Sequence, residues 1–189
     1  MTGRPRSPVV DEAIIRSTMA LAQQFGYRGV SMEAIAAHSG VAKQTIYRRY
    51  QSIGEVMLAV LASFAEEQLP NPDTGSLRED LYLLLSATFA AQQGISGELN
   101  RGLAAEAVQD EAFARKLWER LISNRREVVR AMIGRARVRG EVAHPDDEFL
   151  VDLVFGPMWY RLLFGRAVLD DKYARQLAEA TATVAAAPA

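Results

Sequence analysis

The sequence contains no cysteine and only two histidines among its 189 residues. Without thiols the chain can form neither a disulfide nor a thiolate-zinc site, and nothing indicates an oxidising compartment. The histidines, His38 and His144, lie far apart, and neither has the acid–histidine spacing of a metal site. We therefore expect no bound metal and no cofactor.

Long apolar runs are also missing from the sequence. No run approaches eighteen apolar residues, and the N-terminal residues lack the apolar segment of a signal peptide. These absences predict a soluble, cytoplasmic protein that has no membrane partner. The sequence also has no nucleophile–base pair and no phosphate-binding loop, so we do not expect an enzyme.

Charge is nearly balanced over the whole chain but is unevenly distributed along it. Apolar residues make up 49% of the sequence, which is enough for a sizeable core, and the net charge is −1. Residues 1–50 carry an excess of four positive charges, and the remainder carries an excess of five negative charges. A basic end on an acidic body would direct DNA to one place on the protein.

The most informative part of the sequence is residues 31–50, SMEAIAAHSGVAKQTIYRRY. Its pattern predicts two short helices joined by a tight turn. Ser31 can cap the first helix, and Gly40 falls where the turn needs a residue that tolerates a positive φ angle. The second helix, over about residues 42–50, has one clearly inward aliphatic residue, Ile46. A helix with so little apolar surface is suited to a polar partner.

The polar side chains of this segment match the hydrogen-bonding groups of DNA. Arginine and lysine can bind guanine, glutamine can read adenine, and a threonine methyl can touch the thymine methyl. Tyrosine and serine hydroxyls commonly contact phosphates. A solvated basic helix could contain any one of these residues by chance, whereas the ordered cap, turn and polar helix favour DNA. The candidate DNA-binding residues are Ser31, Lys43, Gln44, Thr45, Tyr47, Arg48 and Arg49.

A second DNA-binding feature is present in the first residues, MTGRPRSP. Gly3-Arg4-Pro5-Arg6 resembles an AT-hook, a short arm that proline keeps extended and that lies in narrow A·T-rich minor grooves. We therefore predict a basic arm over residues 1–7, with Arg4 and Arg6 as its DNA-binding residues. A leader with two incidental arginines is the alternative.

An ordered set of short motifs runs through the first third of the chain, namely Phe25-Gly26-Tyr27, Val30-Ser31-Met32, Ile35-Ala36, Ser39-Gly40-Val41 and Thr45-Ile46-Tyr47, leading into Tyr50. Through these motifs, residues 8–61 resemble the N-terminal domain of the tetracycline-repressor (TetR) family of bacterial transcriptional regulators. The resemblance implies a homodimer in which each subunit presents its second short helix to the major groove. It also implies a C-terminal domain with a small-molecule cavity, whose filling moves the two DNA-binding domains apart. The sequence departs from the family at Ile53, where members usually have a phosphate-contacting lysine.

The rest of the chain follows a helical pattern. From Ser52 onward the apolar periodicity predicts helix after helix and no strand, and a further amphipathic helix is predicted over residues 8–25. We therefore predict an all-α protein of about nine helices, one of them running without interruption over about residues 110–139. With the resemblance, this gives a three-helix DNA-binding domain over residues 8–51 and a helical ligand-binding and dimerisation domain over residues 52–189.

The predicted helix over residues 146–164 has apolar residues on nearly all sides. Such a helix must be buried on all sides, so one face would pack on its own domain and another on a second subunit. A fully buried core helix in a monomer is the alternative. The predicted dimer-interface residues, which include one from the last helix, are Phe149, Leu153, Met158, Trp159, Leu162 and Leu177.

Aromatic and methionine residues of the C-terminal domain could line the cavity that the resemblance implies. The aromatic content of this set of residues favours an apolar ligand. Ordinary core packing would place the same residue types at the same helical spacing, so this alternative stays open. The candidate ligand-binding residues are Phe64, Phe89, Trp118, Met132 and Phe155.

These features together predict a sequence-specific, DNA-binding transcriptional regulator. The predicted activity is that of a repressor, which a small apolar ligand releases from a palindromic operator. The alternative is a helical protein-interaction module that has no defined operator. The expected partners are double-stranded DNA, a second copy of the chain and a small-molecule effector.

Overall fold

The computed structural model of the protein describes residues 8–68, 70–165 and 168–188. Within these ranges the chain forms nine helices and no strand, which confirms the predicted all-α class. A short 3-10 turn over Tyr27–Gly29 joins the first two helices. The helices are α1 (Pro8–Phe25), α2 (Met32–Ser39), α3 (Lys43–Arg49), α4 (Ile53–Gln68), α5 (Leu77–Gln92), α6 (Ile95–Gln109), α7 (Glu111–Leu117 and Ser123–Val138, joined by the π-helical turn Trp118–Ile122), α8 (Asp147–Phe164) and α9 (Asp171–Ala186).

Helices α1, α2 and α3 form the head, which we define as residues 8–51. Helix α1 packs against α2 and α4, and α2 packs against α3. One aliphatic side chain from each helix of the head, Ile14, Ile35 and Ile46, is completely buried. Because these three side chains share one apolar core, the orientation of α3 is determined by its packing on α1 and α2.

The caps predicted for α2 are present. The Ser31 hydroxyl accepts a hydrogen bond from the Ala34 N–H at 3.1 Å, which satisfies one of the free N–H groups of the first turn. Gly40 ends the helix with a φ of 69°, in the left-handed region that glycine adopts without strain. The helix-turn-helix geometry therefore follows from residues within a few positions of the turn.

The body, residues 52–188, contains α4 to α9. A core formed by α5, α8, α9 and the second half of α7 includes Leu85, Ile133 and Val154. A second core joins α4, α6 and the first half of α7 to the head, through residues such as Met57 and Leu103. Because this second core is continuous from the head into the body, a movement of α6 would be transmitted to the head.

Helix α7 differs from the uninterrupted α-helix that its periodicity predicts. Residues Trp118–Ile122 form a π-helical turn, in which the backbone hydrogen bonds span one residue more than in an α-helix. The extra residue changes the direction of the side chains on either side of the turn. Turns of this kind occur frequently at functional sites, and here the turn lies beside the largest cavity that we describe.

Candidate nucleic-acid interface and ligand cavity

Helix α3 presents a polar face to the solvent. Its inward residue, Ile46, is completely buried, whereas Lys43, Gln44, Tyr47 and Arg48 are exposed. These four residues occupy positions i, i+1, i+4 and i+5 of the helix, so their side chains lie on one side of it. Of the predicted contacts on α3, these four are the ones that a DNA groove could reach most directly.

Thr45 and Ser31 lie at the edges of this surface. Thr45 is half-buried, and Ser31 is exposed at the start of α2. The Ser31 oxygen accepts the capping hydrogen bond from Ala34, but its O–H group can still donate to a phosphate. Arg4 and Arg6 of the predicted arm lie outside the described residues.

Lys43 forms an ion pair across the helix-turn-helix with Glu33 of α2. The hydrogen bond between the two groups lowers the pKa of Glu33 and raises the pKa of Lys43, so both are charged at neutral pH. The Lys43 ammonium also lies 5.6 Å from the centre of the Tyr47 ring. Exposed ion pairs contribute little stability, so a phosphate can replace Glu33 as the partner of Lys43 at small cost.

Arg49 does not belong to the exposed face, and the prediction that it contacts DNA is corrected by its placement. Its guanidinium Nη1 lies 2.7 Å from both carboxylate oxygens of Asp11 in α1. The Arg49 side chain is only 9% exposed. The residue therefore ties α3 to α1, together with the Tyr50 hydroxyl, which lies 3.5 Å from Asp11.

Two polar contacts connect the head to α6 of the body, and Ser52 at the start of the body makes a third contact to the same helix. The Tyr27 hydroxyl donates to Glu106 Oε2 at 2.9 Å, and the Tyr27 backbone N–H donates to Glu98 Oε1 at 2.7 Å. The Ser52 hydroxyl donates to the other carboxylate oxygen of Glu106 at 3.2 Å. Burial, together with the Glu106 carboxylate, raises the pKa of the Tyr27 hydroxyl, which therefore stays protonated and able to donate.

This connection was not predicted from the sequence, although a signal for it exists. Glu98, Gly102 and Glu106 follow one another at four-residue spacing, so they lie on one face of α6. The glycine leaves room for the aromatic ring of Tyr27, because a Cβ atom at Gly102 would lie 2.7 Å from that ring. We refer to these three residues of α6, with Tyr27, as the head–body clamp.

A cavity of about 440 Å³ lies in the body between α5, α6, α7 and α8. Two of the predicted ligand-binding residues, Trp118 and Phe155, line it, and Trp118 belongs to the π-helical turn. Phe64 lines a smaller cavity of about 160 Å³ next to it. The full lining of the larger cavity is Gln92, Asn100, Trp118, Leu121, Ile122, Arg125, Arg126, Asp152, Phe155, Gly156, Met158 and Trp159.

Two of the predicted ligand-binding residues are corrected by the structure. Phe89 and Met132 are completely buried in the core of the body and line neither of these cavities. The Phe89 ring stacks on Tyr173 of α9, with the ring centres 5.8 Å apart. Both side chains therefore hold α5 and α7 against neighbouring helices.

The charged groups of the larger cavity include an ion-pair network. Arg126 binds Glu148 at 2.6 Å and also binds Asp152, both of which belong to α8. Hydrogen bonds from Arg130 and Arg126 lower the pKa of Glu148 to about 2. The carboxylate therefore stays charged at neutral pH, and the buried guanidinium of Arg126 has two anionic partners.

The apolar helix α8 has one face in the core and one face outside. Leu162 and Met158 lie in the core of their own subunit, and so does Leu177 of α9, which corrects their prediction as interface residues. The outward face contains exposed Phe149 and half-buried Leu153, and half-buried Trp159 lies where the cavity meets it. The sequence pattern does not separate these two faces. The helix also carries three exposed residues that were not predicted from the sequence, which are Tyr160, Leu163 and Phe164.

In the ranges that the structure describes, no helix is long and apolar enough to cross a membrane. The same ranges contain no group of three or more histidine, aspartate or glutamate residues that could hold a metal ion.

The geometry defines the class of protein. A short polar helix stands on a buried aliphatic anchor after a glycine turn, which is the arrangement of helix-turn-helix DNA-binding proteins. A second helical unit, with a cavity and an outward apolar face, adjoins this head.

The family is shown by comparison with known proteins. Residues 14–60 match the family described as bacterial regulatory proteins, tetR family. Residues 71–181 match the tetracyclin repressor-like C-terminal domain. The chain belongs to the TetR family and is a DNA-binding transcriptional regulator.

Individual relatives agree with this assignment. The uncharacterised HTH-type transcriptional regulator YdeS of Bacillus subtilis is 29% identical, over 93% of this chain and 89% of its own length. The DNA-binding transcriptional repressor TetR of Mycobacteroides abscessus is 30% identical, over 82% of each chain. The crystal structure of the TetR-family regulator SCO0332 superposes with a TM-score of 0.81 at 26% identity, over 92% of this chain and 97% of that one.

Proposed function

We propose that the protein is a homodimeric repressor of the cytoplasm, which binds a palindromic operator and leaves it when a small molecule fills the cavity of the body. The observation that carries the proposal is the exposed polar face of α3, formed by Lys43, Gln44, Tyr47 and Arg48 around the buried anchor Ile46. Repression is supported by the relative from Mycobacteroides abscessus, which is named as a repressor.

Binding to DNA would use two copies of this face. In a two-fold dimer the α3 helices would meet half-sites about 34–36 Å apart, or a multiple of that distance. Arg48 and Gln44 are suited to read base edges, and Tyr47 is suited to a phosphate. Because basic groups would neutralise several phosphates, the affinity should fall steeply as the salt concentration rises.

Release by a ligand is supported by the path from the cavity to the head. Asn100 lines the cavity and belongs to α6, between the two clamp residues Glu98 and Gly102. A ligand that displaces α6 would therefore act on Tyr27 in the head through the clamp. Coupling of this kind between two sites is typically about 1–3 kcal/mol, which is sufficient for a change of affinity of about 5- to 150-fold.

A mobility-shift titration tests the proposal. The wild-type protein should bind the DNA upstream of its own coding region more tightly, by orders of magnitude, than a random duplex of the same length. Arg48→Ala should lower the affinity for the preferred duplex by about 1–3 kcal/mol and relax the preference at specific base pairs. A bidentate contact to guanine is the physical reason for this loss.

Arg78→Ala is the matched control for this experiment. Arg78 is an exposed arginine of the body and forms an ion pair with Glu179 at 3.2 Å. The substitution Arg78→Ala removes the same charge as Arg48→Ala, but at a position far along the chain from α3. Operator binding should therefore be unchanged. An Arg48→Ala protein that kept the wild-type footprint and affinity would contradict the assignment of α3. The rival hypothesis, a helical protein-interaction module without an operator, is disfavoured by the family to which the chain belongs.

A further inference from the structure

Arg125 lies on α7 just after the π-helical turn and lines both the larger cavity and the smaller cavity next to it. The two cavities share further wall residues from α5, α6 and the turn itself, namely Gln92, Asn100 and Leu121. Arg125 therefore belongs to the wall where the two cavities adjoin. It is half-buried in the structure.

Among the residues whose side chains the structure describes, which are 8–64, 70–165 and 168–188, Arg125 forms neither an ion pair nor a hydrogen bond. Burial lowers the pKa of its guanidinium, and no described acid opposes that effect. The group nevertheless stays charged at neutral pH, because arginine does not lose its proton in proteins. A partly buried charge without a partner costs free energy, so the presence of Arg125 at this site favours an anionic occupant.

The next residue, Arg126, differs from Arg125 because it has acidic partners. Its guanidinium is held by Glu148 and Asp152 of α8. Asp152 is the acid that lines the larger cavity, and its carboxylate is already engaged by Arg126. Two arginines and one aspartate thus line that wall, and the two acids of α8, Asp152 and Glu148, contact Arg126 rather than Arg125.

The remaining wall is mostly apolar. Trp118 and Phe155, with Trp159 and Ile122, provide aromatic and aliphatic surface. A volume of about 440 Å³ lies at the lower end of the range, roughly 300–1,000 Å³, that ligand sites usually occupy. An occupant of this cavity would therefore have an apolar body and one anionic group.

We infer that the cavity binds an amphipathic organic acid, whose carboxylate pairs with Arg125 and whose apolar body lies against Trp118, Phe155 and Trp159. The planar guanidinium fork matches a carboxylate with two parallel hydrogen bonds. The amide pair formed by Asn100 and Gln92, with a hydrogen bond of 3.0 Å, provides further polar groups beside the guanidinium. The inference rests on the proposed function in one respect, which is that the bound acid acts as the effector.

The two tryptophans of the chain, Trp118 and Trp159, both line the cavity, so intrinsic fluorescence reports its occupation. The probes are octanoate and 4-phenylbutyrate, each compared with its neutral amide. Each acid should bind the wild-type protein at least tenfold more tightly than its amide. Arg125→Met should remove this preference while leaving the affinity for the amides unchanged, and Arg125→Lys should keep part of it.

Arg115→Met is the control, because Arg115 is an exposed arginine of the same helix that does not line the cavity. It should keep the full preference for the acids. The inference is overturned if neither acid binds more tightly than its amide, or if Arg125→Met keeps the preference.

A second measurement needs no ligand. Arg125→Met should raise the thermal midpoint of the ligand-free protein, because it removes a partly buried charge that contacts neither acid of α8. A lower midpoint would show that Arg125 is a structural residue and would overturn the inference. These results are independent of DNA: acids that bind through Arg125 but leave the operator complex intact would support the ligand class and contradict the proposed release.

Discussion

Adjacent arginines at the end of α3 have opposite environments. Arg48 is exposed on the polar face, whereas Arg49 is enclosed and held by both carboxylate oxygens of Asp11 at 2.7 Å. The first can exchange water for DNA without disturbing the head. The second connects α3 to α1, so its contribution is to the orientation of the DNA-binding helix.

Arg49→Met should therefore lower the stability of the protein. It leaves the partly buried Asp11 carboxylate without its main partner, which costs about 1–3 kcal/mol. Arg48→Met, the neighbouring control, removes an exposed side chain and should change stability by less than about 0.5 kcal/mol. Chemical denaturation of the two variants measures the difference. An Arg49→Met protein of wild-type stability that had lost operator binding would indicate a direct contact of Arg49 with DNA.

At the scale of the element, α6 has a dual role. Its residue Asn100 lines the cavity, and the clamp residues on the same helix hold Tyr27 of the head. The clamp depends on the absence of a side chain at Gly102, because the Tyr27 ring occupies that space. The ring cannot move away freely, since its residue is hydrogen-bonded through both the backbone N–H and the hydroxyl.

Gly102→Ala tests this packing. The added Cβ atom would lie 2.7 Å from the Tyr27 ring, and overpacking of this kind typically costs about 1–3 kcal/mol. The same substitution at Gly134 of α7, which has no neighbour within 4 Å, should stabilise the protein by about 0.5–1 kcal/mol through helix propensity. Urea unfolding of both variants should thus give changes of opposite sign. Equal stabilisation of the two would mean that the clamp is loose enough to accept a methyl group.

At the scale of the whole molecule, the outward face of α8 is the feature that a single chain does not explain. Phe149, Tyr160, Leu163 and Phe164 are large apolar or aromatic residues that remain exposed on one helix. Contiguous exposed apolar surface usually marks an interaction site. In a family of dimeric regulators a second copy of the chain is the partner that we expect to cover it.

Sedimentation should therefore give a dimer at micromolar concentration for the wild-type protein. Leu163→Asp should give a monomer, because it places a charge in the centre of an apolar interface, and should lose operator binding with it. Val108→Asp is the control, since Val108 is exposed at the end of α6, away from this face. A wild-type protein that sediments as a monomer would contradict the dimer.

The sequence by itself determined the features that depend on neighbouring residues. The capping hydroxyl of Ser31, the left-handed turn at Gly40 and the buried anchor Ile46 were all predictable. The exposed polar face of α3 around Ile46 was predictable as well. The physical reason is that a cap, a turn and a helical stripe each depend on residues that are close in sequence, within one or two helical turns of one another. The helical class follows from the same local periodicity.

Only the tertiary structure decided which groups meet across helices. Arg49 looks like Arg48 in the sequence, and its partner Asp11 lies 38 positions away. Periodicity marks Phe89 and Phe155 as equally apolar, and both belong to the core of the body, but Phe155 also lines the larger cavity and Phe89 does not. Local patterns do not encode the relative placement of helices, on which every such contact depends. That placement gives Arg126 two acidic partners from α8 and puts Arg125 in the wall of the cavity.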